Sequence, residues 1–251
     1  MIWVLSLGKS EEGRLESISL RDLESINEAA QNFQINLILI GGYAVRAYTN
    51  PRSWRFTKDM DFITTSKDLG ALRGVLDLLG YSLERTEFGL KGSKKVNKNS
   101  FELHVSVDKV IDWSTGREYK LPEDVFAKAD NVDVKASLEE NMGLEVNVMV
   151  APVEDVLIMK LMTERPRDHF DAIAVILDSF HDLDILRFKE NCNQDDLSRH
   201  IFNRLESVLA DLRRGLVKDL WREFTRREFI RQQRVDLRAK INKLIEVLSI
   251  F

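Results

Sequence analysis

Two aspartates one residue apart, Asp59 and Asp61 in Thr57-Lys58-Asp59-Met60-Asp61-Phe62-Ile63, are the residues whose type and spacing point most directly to chemistry. The apolar residues around them predict a strand over 60–64. Strand side chains alternate faces, so the two carboxylates project to one side, about 6 to 7 Å apart, while Met60 and Phe62 enter the core. Such a pair suits one or two hard cations. Mg2+ prefers oxygen ligands, keeps several waters and is completed by substrate phosphates, and two such ions can activate an attacking oxygen and stabilise a leaving pyrophosphate. Two solvated or turn-capping aspartates are the plain alternative, and the pair alone does not decide.

Eighteen residues before Asp59, Gly41-Gly42 ends a buried apolar run over 35–40. Glycines where a strand turns into a helix let backbone N–H groups approach a triphosphate, although a tight turn needs them equally.

The elements that must position these groups follow from periodicity. Ser19 followed by Leu20, Leu23, Ile26, Ala30 and Phe33 predicts a capped helix over 19–33. A strand over 35–40, a short helix over 43–48 and a break at Asn50-Pro51 come next. Beyond the acidic strand, Ser66 is expected to cap a helix whose Leu69, Leu72, Leu76 and Leu79 face inward and which closes at Gly80. Strands are expected over 81–87 and 101–107, flanking a polar, lysine-containing loop over 91–100 that reads as a mobile segment. Two further strands, 132–136 and 144–150, precede a helix over 153–162 that follows Pro152, and from Asp168 onward the pattern is helical. The fold class is therefore α+β. A boundary near 165 divides a mixed α/β domain, 1–165, from a helical C-terminal domain, 166–251.

The run Gly41-Gly42-Tyr43-Ala44-Val45-Arg46-Ala47-Tyr48 followed by Arg55-Phe56-Thr57-Lys58-Asp59-Met60-Asp61 resembles the signature of minimal nucleotidyltransferases of the DNA polymerase β-like superfamily. Its Gly-Gly-Tyr-Ala form with Arg-x-Thr-x-Asp-x-Asp is most like the AbiEii and MenT toxin-type branch. The resemblance implies a mixed-sheet, polymerase β-like core and transfer of a nucleoside monophosphate from an NTP, ATP among the candidates, with magnesium. It implies Asp59 and Asp61 as catalytic metal ligands, and Gly41, Gly42 and Lys58 around the nucleotide. It extends over roughly residues 38–175, with gaps. The turn is Gly-Gly and lacks the serine that many members place on the phosphate.

A third carboxylate on a following strand is usual in that superfamily. In Phe101-Glu102-Leu103-His104-Val105-Ser106-Val107-Asp108, alternation puts Glu102, His104, Ser106 and Asp108 on one face. Glu102 and Asp108 lie about 20 Å apart along a strand and cannot hold the same ion. Glu102 is preferred because Glu-Leu-His resembles the acidic-Leu-His form of related nucleotidyltransferases. Asp108 stays open, and His104 is read as a hydrogen-bonding neighbour.

The stretch Pro152-Val153-Glu154-Asp155-Val156-Leu157-Ile158-Met159-Lys160, continuing to Arg165-Pro166-Arg167-Asp168-His169-Phe170-Asp171, places Lys160 on an otherwise apolar helix side. Beside a triphosphate a lysine supplies a compact positive charge. The toxin-type branch again resembles this stretch. On that resemblance Lys160 contacts phosphate, and Asp168 orients catalytic groups or acts on the acceptor hydroxyl. From the residues alone, an ion-pair network among Arg165, Arg167, Asp168 and Asp171 is an equal reading.

Composition limits the rest. The chain has 251 residues, 44% of them hydrophobic and 31% charged, with a net charge of −4, which fits an ordered globular protein. Its one cysteine, Cys192, excludes an internal disulfide and a cysteine-based zinc site, and is expected to be a packing residue. The apolar run over 2–7 is short for a signal peptide, and no stretch reaches the roughly 18 apolar residues of a membrane helix, so no membrane partner and a cytoplasmic location are expected.

Residues 199–243 hold thirteen Lys or Arg against six Asp or Glu, and the arginines share their helices with Trp221, Phe224 and Phe229. Such a region can grip RNA, though a solvated basic face is an equal account. Leu237, Ile241, Leu244, Leu248 and Phe251 give the last helix one apolar seam. The leading expectation is an NTP-dependent enzyme that modifies an RNA end, such as a tRNA end, or a protein hydroxyl, as the toxin of a toxin–antitoxin pair with an antitoxin partner. A catalytically silent version of the same fold, binding RNA or a partner protein, is the alternative. Transfer to a small molecule such as an aminoglycoside would require an acidic acceptor pocket.

Overall fold

The computed structural model describes residues 10–96, 99–138 and 141–249. The apolar run over 2–7 and the end of the C-terminal seam at Phe251 lie outside the described residues.

A long helix, α1 (Glu11–Asn32), leads into β1 (Leu37–Ile40), α2 (Gly41–Tyr48), β2 (Met60–Thr64), α3 (Leu69–Leu78), β3 (Ser82–Thr86), β4 (Gly89–Val96) and β5 (Asn99–Val107). A short hairpin, β6 (Lys109–Ile111) and β7 (Glu118–Lys120), precedes β8 (Asp130–Lys135) and β9 (Glu145–Val150). Helices α4 (Val153–Leu161), α5 (Pro166–Ser179), α6 (Ile185–Cys192), α7 (Leu197–Arg214), α8 (Leu216–Thr225) and α9 (Arg231–Leu248) complete the chain. Among the described residues, seven strands form one mixed sheet in the order β3-β4-β5-β2-β1-β9-β8. β2 runs antiparallel to β1 and parallel to β5, and β1 runs parallel to β9. This is the α+β architecture the sequence predicts, with helices filling the C-terminal part.

Three expectations are corrected. Helix α1 begins eight residues before Ser19, and its cap is Ser10, whose hydroxyl accepts from Gly13 N at 3.0 Å. Ser19 is buried inside the helix and donates to the carbonyl of Lys58 at 2.7 Å. The helix after β2 starts behind Asp68 instead of at Ser66. Most of the expected loop over 91–100 is strand β4, paired along its length with β5. Its glycines and lysines, with few apolar residues between them, hide it. Gly92 is required because a Cβ there would meet Leu103 at 2.8 Å, and Lys94 spans to Asp22 at 2.8 Å, with its ammonium over the Tyr81 ring at 5.3 Å.

The helical part docks through α4, whose nine residues are all buried, against α5, α6 and α7. The α9 seam of Leu237, Ile241, Leu244 and Leu248 is buried within the chain against α5 and α7. Cys192 is a buried free thiol, and burial pushes its pKa up, so it packs and does not react. Among the described residues no helix is long and apolar enough to cross a membrane.

Candidate active site

The stretch 54–59 has no regular structure, yet its carbonyls are held from one side by buried donors. Arg46 donates to Arg55 O at 3.1 Å, Tyr43 to Thr57 O at 3.1 Å and Ser19 to Lys58 O at 2.7 Å. Arg46 is itself fixed by Glu16 at 2.9 Å, deep between α1 and α2. Glu16 accepts further bonds from Ser137 N and Asn141 Nδ2. These bonds outweigh the cost of burial and hold its carboxyl below the usual range. The tyrosine and arginine of the Gly-Gly-Tyr-Ala-Val-Arg run are therefore the anchors of the acidic segment. Sequence alone showed them as motif letters without a role.

Beyond this clamp the chain enters β2. Met60 and Phe62 are buried in the core, and Asp59 and Asp61 face a pocket of about 620 Å³. Gly41 and Gly42 line the same pocket. Gly41 has φ +73°, and a Cβ on it would stand 2.1 Å from Asp61 Oδ2; on Gly42 it would stand 2.9 Å from Thr57 Oγ1. The glycine pair is thus required by the carboxylate segment lying against it. Gly41→Ala is expected to cost at least about 1–2 kcal/mol from the left-handed backbone alone and to displace Asp61. Transfer activity should consequently fall more than the melting temperature explains, which a comparison with Gly80→Ala checks, since Gly80 also has positive φ but an open Cβ direction.

The β2–β5 register sets His104 beside Asp61, with Nδ1 to Oδ1 at 3.5 Å. That contact is the main reason the imidazole pKa is raised. Glu102 is two residues earlier on the same face, and its carboxylate pairs with Lys91 at 3.1 Å. Asp59 titrates above its ordinary range, first through burial and then through the charges of Asp61 and Glu102, against the pull of Lys58. Asp108 belongs elsewhere: it follows β5 in a left-handed conformation and accepts from Ser66 N at 3.1 Å. Among the described residues no three His, Cys, Asp or Glu side chains converge closely enough to hold a metal by themselves. Two adjacent carboxylates, one disfavoured as an anion by its neighbours, fit a cation that completes its shell with water and phosphate.

Facing them is the second cluster. Lys160 is 7% exposed, with Nζ 2.7 Å from Asp168 and 2.8 Å from Asp171. Arg55 grips Asp171 with two bonds of 2.8 Å, and Thr163 donates to Asp168 at 3.1 Å. Burial disfavours the Lys160 ammonium, but Asp171 and Asp168 outweigh it and hold the proton on. Burial likewise opposes the Asp168 carboxylate, yet Lys160 and Arg165 bring its pKa down to about 2. So weak a base is poorly matched to taking a proton from a hydroxyl at neutral pH. Of the two roles the sequence left for Asp168, the geometry suits orientation of Lys160. Asp171, given no separate role in the sequence, joins Lys160 to the Arg55 end of the acidic segment.

Lys58, Lys160, Arg165, Arg167 and Asp168 line the same pocket as Asp59 and Asp61, as does the exposed Trp113 from the β6–β7 hairpin. Sequence reading missed that hairpin, whose strands have three residues each, although Asp112-Trp113-Ser114-Thr115-Gly116 carries a turn composition.

A mixed sheet that presents paired aspartates beside a glycine turn defines the nucleotidyltransferase class. The chain belongs to the family described as nucleotidyl transferase AbiEii toxin of type IV toxin–antitoxin systems, whose model matches residues 23–249. No curated protein sequence matches it. Among solved structures it is similar to MenT4, a nucleotidyltransferase toxin from Mycobacterium tuberculosis H37Rv, at 14% identity over 96% of this chain and 84% of that one, with a TM-score of 0.46. It is also similar to the antibiotic-resistance factor ANT(2'')-Ia, at 12% identity over 80% and 98% with a TM-score of 0.42. The lincosamide antibiotic adenylyltransferase LnuA matches at 13% identity over 62% and 94%, with a TM-score of 0.39.

Proposed function

We propose that this nucleotidyltransferase is magnesium-dependent and transfers an NMP from an NTP to an RNA end, a tRNA end being the first candidate, as a toxin countered by an antitoxin. The observation that carries this reading is the single pocket in which the glycine turn and paired aspartates face a basic wall. Asp59 and Asp61 hold the metal, while Gly41, Gly42 and Lys58 border the triphosphate; Glu102, paired with Lys91 and outside the pocket lining, adds negative charge next to Asp59 and is not a third ligand. Magnesium, when bound, supplies charge neutralisation for the transferring phosphoryl group. Lys160, kept protonated by Asp168 and Asp171, adds positive charge on the opposite wall. The acceptor hydroxyl gives its proton to solvent as its oxygen bonds the α-phosphorus, and the bond from that phosphorus to the bridging oxygen breaks to release pyrophosphate. We assign the catalytic carboxylates to a domain ending near residue 165 and acceptor presentation to the helical remainder.

Six basic side chains line the pocket against four acidic ones. A polycationic aminoglycoside calls for the opposite lining, whereas an RNA backbone suits this one. Incubation with labelled NTPs, magnesium, bulk tRNA and total protein tests the reading. Label is expected in RNA and absent with Asp59→Ala combined with Asp61→Ala. Label that enters only protein would overturn the acceptor, and label transfer that survives the double substitution would overturn the site.

A further inference from the structure

Trp113 is 76% exposed, although an indole is among the side chains that gain most from burial. Its position is fixed. The buried Asp112 carboxylate accepts from Ser114 Oγ at 2.8 Å and Thr115 Oγ1 at 2.6 Å, while Asp112 O accepts from Gly116 N at 2.7 Å in a turn that Gly116 closes at φ +71°. The hairpin is also tied to the helical part. Tyr119 is buried and bonds Asp155 of α4, and Arg117 reaches Glu164, between α4 and α5, at 3.3 Å. Among the described residues the Trp113 ring stacks on no other aromatic ring. A hydrogen-bonded turn therefore presents an apolar face to a charged pocket, and among the described residues that face stays largely uncovered.

The pocket's charge identifies what covers it. Arg167, exposed at the start of α5, lines the same pocket and pairs with no carboxylate among the described residues. An exposed aromatic ring and an exposed guanidinium lining one pocket are the two groups that can take a nucleobase by stacking and a phosphate by charge. We propose that Trp113 is the stacking platform for an unpaired base at the acceptor end, with Arg167 on the adjoining phosphate. This rests on the RNA-acceptor reading above. Tyr119 and Arg117 tie the hairpin to the helical part, to which acceptor presentation is assigned above, and on that ground the platform is assigned to the acceptor and not to the base of the NTP.

The test is emission of the full-length protein titrated with a single-stranded oligoribonucleotide of mixed sequence, and separately with NTP and magnesium. The oligoribonucleotide is expected to quench the wild type, and Trp113→Phe to lose that quenching while still binding by a label on the RNA. Trp113→Ala should weaken that binding about tenfold or more and raise the KM for RNA in parallel while leaving the KM for NTP within about twofold. Quenching by NTP alone, or RNA quenching that persists in Trp113→Phe, would overturn the assignment. The emission arm decides on Trp113 even if no label enters RNA, and active transfer with an unchanged KM for RNA in Trp113→Ala would overturn the platform while leaving the transferase reading intact.

Discussion

Asp59→Asn is expected to lower nucleotidyl transfer by at least about a hundredfold without lowering the melting temperature. Asparagine keeps the shape of the side chain but cannot carry the negative charge that a hard cation requires. The stability side follows from the site's own electrostatics. Burial and the charges of Asp61 and Glu102 raise the Asp59 carboxyl. An acid whose folded pKa is raised favours the fold only while protonated, and at neutral pH its ionised form opposes folding. Removing the charge removes that opposition, so the metal-free variant should melt at the same temperature as the wild type or higher. Added magnesium with NTP should raise the melting point of the wild type and not of the variant, because only a state that binds the ligand is stabilised by it. A variant that loses activity by unfolding, or one that keeps the magnesium shift, would refute the assignment.

That separation of function from stability explains what could be read early. The run Leu37–Ile40, the glycine turn and Met60–Thr64 declare themselves because each burial preference is local: apolar residues fill one short strand and alternate in the next. Asp59 and Asp61 are visible for the same reason. What holds them is not local. Ser19 lies 39 residues from the carbonyl it pins, and Arg55 lies 116 residues from Asp171. No periodicity distinguishes such a serine from a helix cap, which is what the sequence around Ser19 suggests. Strand β4 escapes because Leu90 is its one apolar core residue and the rest of its support comes from Asp22, Leu103 and the β5 backbone. In the second cluster the sequence allows an ion-pair network among Arg165, Arg167, Asp168 and Asp171, and Arg165 does pair with Asp168 at 2.6 Å; what it hides is that Lys160 and Arg55 are the other cations of that network, which only the packing of α4 on α5 reveals.

Asp171→Asn is expected to be the most destabilising of the conservative changes at this site, at about 3–5 kcal/mol, or on the order of 10 °C in melting temperature. Asp171 Oδ1 accepts from Arg55 Nε, and Oδ2 accepts from Arg55 Nη2 and faces Lys160 Nζ. An amide in either orientation turns an NH2 group toward one of these donors and leaves a buried cation without its counter-charge. Lys160→Met should cost less stability, because Asp171 keeps both bonds from Arg55 and Asp168 keeps Arg165 and Thr163. Its activity should nonetheless fall by about a hundredfold if the ammonium acts on the triphosphate. Acid titration gives an independent check. Asp168 is depressed from 3.8 to about 2 and Asp171 is lowered as well. Depressed carboxyls stabilise the fold above their unfolded pKa, and that stability is lost as the pH falls from about 4 toward 2. Wild-type stability should therefore drop steeply across this window, and Lys160→Met should flatten the drop by releasing both carboxyls toward ordinary values. If Asp171→Asn melts like the wild type, or Lys160→Met keeps the steep acid limb, the cluster is not the coupled support of the acidic segment that its geometry describes.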